Sequence, residues 1–130
     1  MIREHKLWTW HLAAGMLIFF LLGLHMAIMH LDALLGLFNP AGGHPIDWEN
    51  VAARNQSLFF MVTYVLLLAA ALFHGFYGLR NILFELGPSA TLKKTLSWAL
   101  ILVGLSLFIV GGWAAWASYQ SAPTVLGALR

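Results

Sequence analysis

The chain has 130 residues, 61% of them hydrophobic and only 9% charged, whereas soluble domains carry about a quarter charged residues. That balance excludes a soluble globular domain, and a formal net charge of +2 is too small to argue for nucleic-acid binding. With no cysteine, disulfides, iron–sulfur ligation and thiolate chemistry within the chain are excluded as well. A mean hydropathy of +0.80, six Trp and nine Phe fit a lipid-embedded helical bundle with aromatic residues near its interfaces. No repeat or low-complexity linker divides it, so residues 1–130 read as one all-α membrane domain.

The first six residues are short and polar, and Leu7 to Leu31 then contains no Asp, Glu, Lys or Arg. A span needs about 20 apolar residues, so a first transmembrane helix is predicted over about 8–35, tilted or protruding. The run is too long for a signal-peptide core and lacks a convincing small-residue cleavage site, so it is expected to be retained. Trp8 and Trp10 would sit at the interface where it begins. Three histidines fall in it. His11, Gly15, Ile18, Leu22, His25 and Asp32 follow steps of three, four and seven and form one stripe. His30 lies about 140° from His25 around the helix, which makes His25 the better internal candidate and sets His30 near the far water boundary.

Asn39 to Pro45 is a turn-rich break, and residues 46–57 are polar enough for a short interfacial helix. A second span is predicted over about 58–84, running on to Leu86 before Gly87-Pro88-Ser89 stops it. It carries His74 at membrane depth, where an ionisable group points to function by default. Leu67, Ala70 or Ala71, His74, Gly78 and Asn81 share one face, whose small residues leave room for something broad and flat. A haem held through axial histidine suits that face, although an intramembrane histidine also serves as interhelical hydrogen-bonding glue. Arg80 is placed to meet propionates near the water boundary, or acts only as a positive-inside anchor. His11 is compatible with facing an inner haem propionate, a quinone or lipid headgroups.

A third span is predicted over about 96–117, with Gly104, Gly111 and Gly112 suited to close helix packing and a loosely ordered tail from Tyr119. Arg3, Lys6, Arg80, Lys93 and Lys94 flank one side of the membrane, and Arg54 and Arg130 the other. That bias predicts a cytoplasmic amino terminus and an external carboxyl terminus. His25 lies 17 residues beyond Trp8, roughly 25 Å from the inner interface, and His74 six residues before Arg80, roughly 9 Å from it. A separation of roughly 15 Å along the normal is too great for one haem to take both histidines. Two stacked haems would take one each, with the remaining ligands from another chain.

Trp10-His11-Leu12-Ala13-Ala14-Gly15, then His25 and His30, Val51-Ala52-Ala53-Arg54, and His74-Gly75-Phe76-Tyr77-Gly78-Leu79-Arg80 resemble the membrane-anchor cytochrome b subunits of succinate dehydrogenase and fumarate reductase. The nearest likeness is to the small three-helix hydrophobic anchor, the D-type subunit, over about Trp8 to Glu85. The resemblance implies three transmembrane helices packed as half of a heterodimeric haem-binding anchor bundle. It implies as partners a second anchor cytochrome b subunit, an iron–sulfur subunit and a flavoprotein subunit, with haem b and quinone as cofactors. In the dihaem members the first-helix histidines hold the outer haem and the second-helix histidines the inner one, positions that His25 and His74 match. Leu12 and Ala14 stand where many members have the Arg and Ser of the quinone site, and Glu85 stands where an aspartate is common.

These readings together describe an anchor in a prokaryotic-type cytoplasmic membrane that carries electrons between partner subunits and quinone. Dicarboxylate chemistry would belong to a partner chain. Its cofactor residues would be His74, His25, Arg80, Gly78 and His11, with His74 and His25 on haem iron and His30 as the alternative to His25. The competing readings are a cytochrome b subunit of another respiratory oxidoreductase and a haem-free structural membrane subunit.

Overall fold

A backbone crossing lipid must satisfy its own N–H and C=O groups within the segment, so each apolar run closes into a continuous helix. The computed structural model describes residues 2–31 and 42–128, with side chains over 5–31 and 42–121. Its helices are α1 (Ile2–His30), α2 (Trp48–Asn55), α3 (Leu58–Glu85) and α4 (Ala90–Ala128). Three stretches are long and apolar enough to cross a membrane: His5–His30, Leu58–Glu85 and Ala90–Ser121. No strand occurs among the described residues. The far end of the first predicted span (residues 32–35, with Asp32 of the stripe) and residues 39–41 of the break lie outside the described residues.

The stop after α3 has a local cause. Gly87 adopts φ +70°, a left-handed conformation that glycine takes without steric penalty, and Pro88 follows it. Ser89 then opens α4, its Oγ accepting the Leu92 N–H at 3.3 Å. At its other end α4 departs from the expected loose tail and continues as helix to Ala128. No glycine or proline interrupts Trp113 to Ser121, so nothing there ends it.

The three long helices stand in a row. α3 packs against both α1 and α4, and no contact joins α1 to α4 among the described residues. The α1 contact stripe runs His11, Ala14, Ile18, Leu21, His25, Ile28, all half-buried or buried. That spacing alternates three and four, the heptad pattern of a left-handed helix pair, and it drifts about 20° per heptad from a straight line. Leu22, expected on the stripe, is 44% exposed, and Leu21 takes the inward place between Ile18 and His25. Ala71 of α3 is likewise exposed, and Ala70 takes the inward place. Gly104 of α4 makes room for Phe76, and Gly111 for Leu68, whereas Gly112 faces open space.

α2 packs across the end of α3 and α4 remote from the Gly87 turn. It secures the incoming connection. Asn50, fully buried, donates from Nδ2 to the carbonyls of Gly42 at 2.8 Å and His44 at 3.0 Å. Arg54, also buried, donates to the Pro45 carbonyl and lies 3.9 Å from Met29 Sδ of α1. A charge in that position is tolerable because its donors have partners.

Candidate functional site

The antiparallel pairing of α1 and α3 brings His11 and His74 together. Their rings stack with centroids 4.0 Å apart and 9° between planes. Each histidine is followed four residues later by a glycine, and each ring lies over the other helix's glycine. A Cβ on Gly15 would stand 3.0 Å from His74 Cε1, and one on Gly78 would stand 3.3 Å from His11 Cε1. The repeated His-x3-Gly spacing is thus a reciprocal cradle. It is legible in the sequence as His11…Gly15 and His74…Gly78, but only the pairing of the helices reveals its meaning.

His74 Nδ1 lies 3.0 Å from the His11 carbonyl oxygen. A carbonyl only accepts, so Nδ1 carries the proton, and in the neutral imidazole Nε2 keeps its lone pair. Among the described residues His11 Nδ1 is the fully buried side-chain nitrogen that lacks a partner. His74 Nε2 also has no partner there, so it retains accessible surface. Tyr77 also adjoins His11, its ring centroid 5.2 Å away and tilted by 48°. Sequence reading did not single out Tyr77. The small-residue face of α3, expected to accept a flat group, is here covered partly by α1.

His25 sits at the other level. Ten residues beyond Gly15, it lies about 15 Å further along α1. Tyr64 meets it edge-on, centroids 6.1 Å apart and planes at 78°, with Phe60 adjoining. No hydrogen bond to a described residue orients the His25 ring. His30, the alternative to His25, is exposed at the end of α1.

Arg80 does not join the histidines. Its Nε donates to Ser97 Oγ of α4 at 3.2 Å, and its guanidinium carbon lies 4.3 Å over the Phe84 ring. The step from His74 to Arg80 is about 240° around α3, which turns the arginine toward α4 while the histidine faces α1.

No group of three or more His, Cys, Asp or Glu capable of holding a metal ion occurs among the described residues. A metal at His74 or His25 would therefore need further ligands from outside the described residues. Haem meets that condition, since the macrocycle supplies four nitrogens and one imidazole Nε2 suffices on each face. A ligating histidine normally donates its other ring N–H to a carbonyl or carboxylate, which is the bond His74 makes. The donor set fits.

Residues 3–116 match the family model described as succinate dehydrogenase/fumarate reductase transmembrane subunit. No curated protein and no solved structure matches the chain.

Proposed function

The chain belongs to the succinate dehydrogenase/fumarate reductase transmembrane subunit family, and from that premise we propose that it is the haem b-binding anchor of a succinate:quinone oxidoreductase. The observation that carries this reading is the His74 Nδ1–H bond to the His11 carbonyl, which fixes the tautomer and leaves Nε2 as a Lewis base. His74 would hold the inner haem, with the Gly15–Gly78 cradle and the His11 ring setting the angle of its imidazole. His25 would hold the outer one against Tyr64, His30 being its alternative.

Bound haem would relay single electrons between an iron–sulfur partner and membrane quinone. A second anchor chain would supply the remaining ligands, and a flavoprotein would carry the dicarboxylate chemistry. The Lys/Arg bias supports a cytoplasmic amino terminus in a prokaryotic-type membrane, with the Lys93–Lys94 turn beside it. The test is a reduced-minus-oxidised spectrum of the purified complex, with haem quantified per complex, for the native chain and for His74→Ala. We expect the variant to lose one haem or to change its spin state; an unaltered spectrum and stoichiometry refute the assignment.

The stacked imidazoles favour one further reading, a haem-free structural subunit in which His11 and His74 serve only to join α1 and α3. A native complex without a Soret band would establish it.

A further inference from the structure

A cavity of about 550 Å³ opens between α3 and α4, with Leu7 of α1 at one end. Tyr77, Arg80 and Ser97 confine its polar lining to that end, and the walls from there to Ala69 and Phe108 are apolar. Eleven residues separate Arg80 from Ala69, and eleven separate Ser97 from Phe108, so the trough runs about 16 Å along the helices. That is about half the ~30 Å hydrocarbon core, the depth of one leaflet.

The mouth is cationic. Arg80 and Lys93 approach one ring, the guanidinium carbon 4.3 Å and Nζ 5.5 Å from the Phe84 centroid. The Ser97 hydroxyl that accepts from Arg80 donates in turn to the Lys93 carbonyl at 2.8 Å. Neither cation forms an ion pair with a described residue, and no Asp or Glu lines the trough. Glu85, beside Phe84 in sequence, is exposed. Lys93 stands beside the trough and Arg80 in its lining. Because both lie over one ring, their charges are at most about 10 Å apart, a positive potential at the edge of a low-dielectric slot that attracts an anion.

We propose that this trough binds one anionic glycerophospholipid, an acyl chain lying along its apolar walls and the phosphate held by Arg80 and Lys93. The depth matches an acyl chain in one leaflet, and the paired cations match a phosphate, whereas a neutral quinone head offers them no charge. No histidine lines the trough, so the proposal stands independently of haem.

The experiment is native mass spectrometry of the full chain, purified in mild detergent with its accompanying subunits. Dioleoylphosphatidylglycerol, dioleoylphosphatidylcholine or decylubiquinone is added. One phosphatidylglycerol per chain should be retained in preference to phosphatidylcholine. Arg80→Gln and Lys93→Gln should each reduce that preference about fivefold. Leu105→Trp, at a position that lines the trough and is 55% exposed, should reduce retention of both lipids. If Arg80→Gln fails to fold, the half-buried Lys93→Gln decides alone. Equal retention of the two lipids, no retained lipid, a preference that survives Lys93→Gln, or displacement by stoichiometric decylubiquinone would each overturn the proposal.

Discussion

His74 and His25 both stand where α1 meets α3, yet the two levels are built differently. At His74 two glycines bring the backbones close, the rings stack, and a backbone carbonyl fixes which nitrogen carries the proton. At His25 large side chains, Ile28, Phe60 and Tyr64, hold the helices together, and no hydrogen bond turns the imidazole. A position on the inward stripe is therefore not the same as an oriented ligand. Orientation needs a second group that selects the tautomer, and close backbone approach is what brings a carbonyl within reach.

The contrast breaks most sharply at His74→Ala. That change removes both the oriented nitrogen and the contact between helices, so haem loss should be accompanied by a lower melting temperature of the complex. If stability is unchanged, the reciprocal cradle does not hold α1 to α3.

His25→Ala comes next. It should remove the outer haem and leave the inner one, and lower the melting temperature less than His74→Ala does, because no hydrogen bond between the helices is broken. His30→Ala should leave both haems. The reverse pattern, quantified from the α-band per complex, would make His30 the ligand and discard the stripe reading.

A pair of alanine substitutions sharpens the same comparison without touching a histidine. Gly15→Ala sets a methyl 3.0 Å from His74 Cε1 and 3.2 Å from Nδ1, so the ring must shift against its carbonyl. Overpacking of this kind costs about 1–3 kcal/mol. Gly23→Ala, near the His25 level, meets nothing within 4 Å and should be neutral or gain up to about 1 kcal/mol from helix propensity. Thermal melts of the two variants that coincide would show the levels to be equally loose.

The smallest effect is expected at Tyr64→Phe. The hydroxyl makes no hydrogen bond with a described residue, and the ring contact with His25 is kept, so melting and spectrum should both stay near native. A clear loss of outer haem would reveal a role for the hydroxyl.

Composition alone determines that this is a membrane helical chain, because some 20 consecutive apolar residues have no other stable fate in water or lipid. The Gly87-Pro88 stop, the short helix before the second span and the inward placing of His25 and His74 were equally legible, since each depends on residues near one another in sequence. What depends on residues far apart was not. Spacing set Leu22 inward and left Ala70 and Ala71 as alternatives, and only the packing of α1 on α3 turned Leu22 out and chose Ala70. The sequence showed Arg80 and His74 on one helix and suggested one ligand for both; the packing on two sides of α3 sends them to different neighbours. The twin His-x3-Gly motifs stood in plain view, but a glycine announces close approach without naming what approaches. That it is the opposite histidine, and that a carbonyl 63 residues away in sequence orients His74, was decided by the antiparallel register of two helices, which no local preference encodes.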